Sequence, residues 1–189
     1  SYSLANHPSD DASIIRFVIK LLPGGLASDM LKDKKVGDTL ELRGAGGLFT
    51  YKSAEAQKVV LVCTGTGIIP VLSIAEFELQ KNTTQPIHLL FGTRYKVDIF
   101  WEDYLQELTK KHPNFSYDII LSKPVGYWEG KKGYVTQELK HFTDSRYHYY
   151  ICGLPQMIED AKTHLISQGV SPNHIFEEKY ISVGLSQEK

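Results

Sequence analysis

Hydrophobic and polar positions keep one rhythm along the second part of this 189-residue chain. From Lys58 onward, short apolar runs alternate with longer stretches spaced for helices. The run KVVLVC carries few polar residues, which predicts a strand over Lys58–Cys63 buried on both faces. The same reading predicts strands over Ile87–Phe91, Phe115–Leu121, Tyr147–Cys152 and His174–Ile181. Helices are predicted over Ile69–Gln80, Ile99–Lys111, Val135–Phe142 and Pro155–Gln168. Strand and helix in alternation imply an α/β, doubly wound parallel sheet with helices on both faces and right-handed crossovers. Ligands of such sheets bind beyond the carboxyl ends of the strands. That singles out the loops Thr64–Ile69, Gly92–Asp98, Ser122–Lys132 and Gly153–Gln156.

The earlier residues follow a different pattern. SIIRFVIKLL alternates loosely and is rich in β-branched residues, so a strand is expected over Ser13–Leu22. PGGLASDMLK reads as a turn into a short helix, and a second strand is expected over Thr39–Arg43. The polar stretch Lys52–Gln57 marks a boundary between residues 1–53 and 54–189.

Composition narrows the function without naming it. A net charge of -1 and no long basic run argue against nucleic acid as a partner. No apolar run approaches the ~20 residues of a membrane span. Two isolated cysteines, Cys63 and Cys152, form no disulfide framework and fit a reducing, cytoplasmic setting. They cannot supply an ordinary iron–sulfur cluster, and the seven histidines show no tight metal spacing, so no metal is expected.

The loops carry the candidate chemistry. Gly65-Thr66-Gly67 follows a strand and precedes a helix. It is either a plain strand–helix turn or a cradle whose backbone N–H groups hold a pyrophosphate. Pro70 suits a helix's first turn, where no N–H is needed. Arg94 stands where an ordinary NAD-binding fingerprint places an acid, and Ser122-Lys123 adds a hydroxyl and a cation. Either these are solvated surface cations, or they favour the 2′-phosphate of NADP(H) over NAD(H). Cys152 ends a strand, and no nucleophile–base pair accompanies it, which argues against covalent catalysis.

Short motifs stand in order along nearly the whole chain: Tyr2-Ser3, Gly25-Leu26-Ala27-Ser28, Gly44-Ala45-Gly46-Gly47-Leu48-Phe49, Gly65-Thr66-Gly67-Ile68-Ile69-Pro70, Gly92-Thr93-Arg94 and Cys152-Gly153-Leu154-Pro155 with Met157. Together they resemble the ferredoxin–NADP reductase superfamily, which includes the reductase components of oxygenases. The resemblance implies an antiparallel β-barrel flavin domain, present here in its C-terminal part, ahead of an NAD(P) module. The arginine of the family's R-x-Y-S motif would precede Ser1, so a longer parent chain is expected. Ala45 replaces the family's usual proline.

By the same resemblance, Tyr2 would flank the ring of FAD and Ser3 would hydrogen-bond its N5. Backbone N–H groups of Leu26, Ala27 and Ser28, entered through Gly25, would hold the flavin pyrophosphate. Gly65, Thr66 and Gly67 would hold the nicotinamide pyrophosphate, with Arg94, Ser122 and Lys123 at the adenosine end. Cys152, Gly153 and Met157 would lie by the nicotinamide, Glu178 by the flavin, and Tyr180 where relatives place a terminal aromatic. Ser3, Cys152 and Glu178 would assist hydride transfer from NAD(P)H to FAD. Electrons would then pass to a carrier protein, whether ferredoxin, flavodoxin or an oxygenase component. The alternative is a non-catalytic nucleotide-binding or electron-transfer subunit that leaves redox work to a partner chain.

Overall fold

The computed structural model describes residues 2–6, 11, 13–44, 46–81 and 83–180. Ser1, Ala45 and the tail from Ile181 lie outside the described residues. Six strands form one parallel sheet: β1 (Lys58–Thr64), β2 (Ile87–Thr93), β3 (Phe115–Leu121), β4 (Lys131–Lys132), β5 (Tyr147–Gly153) and β6 (Ile175–Lys179). Their order is β4-β3-β2-β1-β5-β6. The chain therefore builds outward from β1 in one direction, then returns to β1's other side to place β5. The order reverses between β1 and β5, and a crevice opens above such a reversal.

Both faces of the sheet are covered, as the nearly unbroken apolar strands require. Helices α2 (Ile68–Leu79) and α3 (Glu102–Lys111) pack on one face with Leu61, Leu89 and Phe91. Helices α4 (Val135–Glu138) and α5 (Pro155–Ser167) cover the other with Val60, Leu90 and Ile151. The one earlier helix, α1 (Leu26–Leu31), is six residues long and buries none of its side chains. The four longer strands keep one register, with Val62 opposite Leu90 on β2 and Ile151 on β5.

Most expected elements form within a residue or two of their expected limits. Helix α3 starts at Glu102, not at Ile99, because Trp101 takes a left-handed backbone (φ 63°) before it. That turn sends Phe100 inward, edge-on to Phe91 with ring centroids 5.6 Å apart. The expected Val135–Phe142 helix ends as α at Glu138 and tightens into a 3₁₀ turn over Leu139–His141. The two-residue edge strand β4 had no signal in the sequence.

The two early strands are a correction. Neither Ser13–Leu22 nor Thr39–Arg43 forms a strand. A strand needs a ladder, and the Ser13–Leu22 segment meets Ala5 N–H at Arg16 O (2.8 Å) and the Asn6 side chain at Ile14 O. Ile14, Ile15, Leu21, Leu40 and Leu42 stay exposed, whereas Val18 reaches the core. Alternation was present; the neighbours that turn alternation into a sheet were not.

Candidate functional site

The crevice between β1 and β5 gathers the site. Beyond β1 the chain makes a 3₁₀ turn over Gly65–Gly67 and runs directly into α2. Gly65 takes φ 55°, a left-handed backbone that a side chain disfavours. Gly67 is glycine for space: a Cβ there would collide with the Cys152 carbonyl. The turn after β1 is thus pressed against the end of β5. Gly153 is equally tight, since a Cβ would strike the Thr64 hydroxyl and the Met157 methyl.

Thr64 opens a loop that the sequence singles out, but no motif there assigns it a role of its own. Its hydroxyl is buried and has no hydrogen-bond partner in the protein. An unpartnered buried hydroxyl costs free energy unless a ligand or water meets it. Set beside a glycine turn and the first N–H groups of a twelve-residue helix, it fits a polar, anionic ligand. The residues of the turn therefore suit a pyrophosphate.

Cys152 sits at the strand end, fully buried, with Cys63 opposite it on β1 and Glu178 opposite it on β6. Residues opposite one another in a parallel ladder share a face. Burial pushes the Cys152 thiol up to about 12, helped by the Glu178 charge. Burial also raises the Glu178 carboxyl. Tyr180 follows β6 and is held by its N–H on Gly153 O at 3.0 Å. Its hydroxyl lies 3.2 Å from Ser3 Oγ and 3.4 Å from Thr66 O, and the Cys152 thiol is its neighbour. Burial, then the neighbouring Cys152, drives the Tyr180 phenol well above its ordinary value. Ser3, Thr66, Cys152, Glu178 and Tyr180 thus meet in one place from four separate stretches of chain.

The other expected residues stand apart from this cluster. Arg94 and Lys123 are exposed on adjoining loops, tied where Lys123 N–H donates to Arg94 O at 2.9 Å. Ser122 N–H donates to Thr93 O at 3.0 Å. This cationic ledge ends β2 and β3, and β3 lies three strand spacings, about 14 Å, from β5. Lys132 and the exposed Tyr134 adjoin it, because Gly133 N–H is bonded to Leu121 O at 2.9 Å. Lys132 closes the singled-out loop Ser122–Lys132, but β4 is too short to show a period that would place either residue beside the ledge. Tyr2 is exposed. Gly25 caps α1, whose first-turn N–H groups, Leu26, Ala27 and Ser28, have no earlier helical carbonyl to bond. The Ser28 hydroxyl is engaged within the turn, accepting from Leu22 N–H at 2.7 Å.

A cleft of about 380 Å³ lies elsewhere, at the β3 edge among Lys96, Tyr117, Trp128 and Lys131. It is an open mixed-charge groove remote from the β1/β5 reversal, and the backbone and thiol geometry above weighs more. Among the described residues there is no cluster suited to a metal ion, and no helix is long and apolar enough to cross a membrane.

Comparison with known proteins agrees with this geometry. Residues 61–163 match the oxidoreductase NAD-binding domain family, and residues 1–51 match the oxidoreductase FAD-binding domain family. The chain is 32% identical to the anthranilate 1,2-dioxygenase electron transfer component of Acinetobacter baylyi, over 96% of its own length and 53% of that protein's. It is 30% identical to ferredoxin–NADP reductase B of Sorangium cellulosum, over 95% of itself and 77% of that protein. Among solved structures, the cytochrome P450 reductase GcoB of Amycolatopsis superposes with a TM-score of 0.86 at 26% identity, over 94% of this chain and 55% of that one. The chain spans about half the length of several curated relatives it matches.

Proposed function

The chain belongs to the ferredoxin–NADP reductase superfamily, and from that premise we propose that it takes hydride from NAD(P)H onto FAD and hands electrons to a carrier protein or oxygenase component. The observation that carries this reading is the meeting of Ser3, Thr66, Cys152, Glu178 and Tyr180 above the β1/β5 reversal. It joins the segment matched to FAD binding with the segment matched to NAD binding. The domain division at residues 53 and 54 belongs to the same proposal.

Bound FAD would accept a hydride and release its electrons singly. The protein's own part is placement. The Gly65–Gly67 turn and Thr64 hold a pyrophosphate, and the cationic ledge of Arg94, Ser122 and Lys123 takes the adenosine end, with NADP(H) favoured over NAD(H). First-turn N–H groups of α1 hold the flavin phosphates, and Tyr2 flanks the ring. Ser3 presents a hydroxyl to the ring edge. Cys152 and Gly153 give a small, uncharged wall that lets two flat rings approach, and Tyr180 closes the space when no nucleotide is there. Met157 lies beneath Gly153.

The test is direct. Purified with FAD, the protein is expected to be yellow and to bleach without air on adding NAD(P)H. A folded, colourless protein that binds nucleotide but reduces no dye would instead mark the non-catalytic subunit.

A further inference from the structure

The linker between the two halves is fastened by a chain of hydrogen bonds that ends on a histidine. Ser53 is fully buried. Its hydroxyl lies 2.9 Å from the Tyr150 hydroxyl and 2.8 Å from His148 Nδ1. The Tyr150 oxygen also accepts Lys52 N–H at 2.7 Å. Gln85 grips the same linker, donating from Nε2 to Ser53 O at 2.9 Å and Ala56 O at 2.6 Å, while the Tyr51 hydroxyl donates to Gln85 Oε1. Both residues that hold Ser53 lie on β5, two and four positions before Cys152, and face its side of the sheet.

We propose that Ser53 is a latch that sets how the segment carrying Ser3 sits on the sheet carrying Cys152, and that protonation of His148 releases it. Its consequence for catalysis rests on the reductase reading; its chemistry does not. The hydrogen bonds run in one consistent direction. Lys52 N–H donates to Tyr150, Tyr150 donates to Ser53, and Ser53 donates to an unprotonated His148 Nδ1. A proton on Nδ1 reverses the last bond. The Ser53 oxygen can accept from both Tyr150 and His148, but one hydroxyl hydrogen of the chain then has no acceptor, around a side chain that is fully buried.

The surroundings make that proton hard to accept. The His174 ring stacks on His148 with centroids 4.2 Å apart and bonds Ser145 O through Nδ1 at 3.0 Å. The Phe176 ring lies tilted to His148 with centroids 6.0 Å apart, with the Lys52 ammonium 6.0 Å from the Phe176 ring. On β1, Val59 is opposite His148, and Lys58 is one position away. Asp144, before β5, is taken up by Arg146 at 2.6 Å. Burial and the neighbouring His174 both hold His148 toward its neutral form.

The test reads the latch without flavin or nucleotide. Hydrogen exchange at the Lys52 amide, corrected for intrinsic rate, is followed from about pH 8 down to about pH 5, the range in which a histidine titrates. Protection is expected to fall about tenfold in the wild type. In His148→Gln, which keeps a hydrogen-bonding side chain but does not titrate, protection is expected to stay level with pH. Ser53→Ala is expected to start low and to show no pH dependence. Level protection in the wild type, or the same fall in His148→Gln, overturns the latch. A latch that titrates in a protein that never takes up flavin upholds this inference and removes the reductase reading. With flavin bound, hydride transfer is expected to follow the same midpoint in the wild type and to lose it in His148→Gln; a midpoint retained in that variant overturns the coupling.

Discussion

The Tyr180 hydroxyl lies 3.2 Å from Ser3 Oγ, joining residues 177 positions apart. The same hydroxyl touches the Gly65–Gly67 turn through Thr66 O and neighbours the Cys152 thiol. On the proposed reading, the Tyr180 ring stands where a nicotinamide would lie to reach a flavin beside Ser3. A nucleotide must displace it, and a binding-competent state that is only fractionally populated weakens apparent affinity by that fraction. Tyr180→Ala is therefore expected to tighten NAD(P)H binding about tenfold. Isothermal titration measures this; an unchanged Kd would show that the ring is not in the way.

Cys152 is expected to act as an uncharged neighbour of the rings and never as a thiolate. With its thiol pushed up to about 12 and its side chain fully buried, it should resist iodoacetamide throughout about pH 6 to about pH 9, its slow labelling rising about tenfold per pH unit with no plateau. Cys152→Ala should leave nucleotide binding intact and slow flavin reduction about tenfold or more, since small misplacements of reacting atoms are costly. Stopped-flow absorbance gives the rate. Rapid labelling would show a reactive thiolate and overturn the uncharged role, whereas an unaltered rate of flavin reduction would return Cys152 to plain core packing.

The sheet was legible because its strands are short, apolar and separated by helices of clear spacing. KVVLVC could hardly be anything but a buried strand, whereas its exit into Gly65-Thr66-Gly67 read either as a plain strand–helix turn or as a phosphate cradle. The early residues were less so. Ser13–Leu22 alternates as a strand should, but pairing depends on residues far along the chain, and alternation alone cannot supply them. The same holds at the site. Glu178 and Tyr180 were placed by resemblance, whereas their meeting with Cys152 follows from the β5–β6 register. Thr64 and the Ser53–Tyr150–His148 chain had no local signature, because each is made by contacts 90 or more residues apart or by the lack of a partner.

Glu178 yields a prediction about pH. Burial raises its carboxyl above the ordinary 4.5, so the folded protein holds that proton more tightly than the unfolded chain does. The stability it gives is complete below the unfolded value and is lost as pH rises through the folded one. Near neutral pH the buried charge is therefore a burden. Glu178→Gln should melt higher than wild type at about pH 7, with the gain fading below about pH 4. Each kcal/mol corresponds to a rise of about 2–4 °C for a chain of this size. Thermal melts across pH decide it: a gain of equal size in acid, or none at neutrality, is the contrary result.

The proposed preference for NADP(H) over NAD(H) is tested at the cationic ledge. Arg94 and Lys123 are exposed, on loops joined backbone to backbone, and neither has a place in the apolar core. NADPH differs from NADH by one phosphate, and a cation earns selectivity only if it touches that group. A charge-assisted hydrogen bond contributes about 1.5–3 kcal/mol, roughly ten- to a hundredfold in affinity. Lys123→Ala should therefore lower kcat/KM for NADPH by about tenfold or more while leaving the NADH value nearly fixed. Arg94→Ala should act in the same sense, and more strongly if its planar fork grips the phosphate at two oxygens. Steady-state kinetics with both nucleotides at several salt concentrations separate this from general attraction, which would weaken NADH and NADPH together as screening rises. A wild type that already prefers NADH, or a ratio that neither substitution moves, would leave the ledge as solvated surface charge.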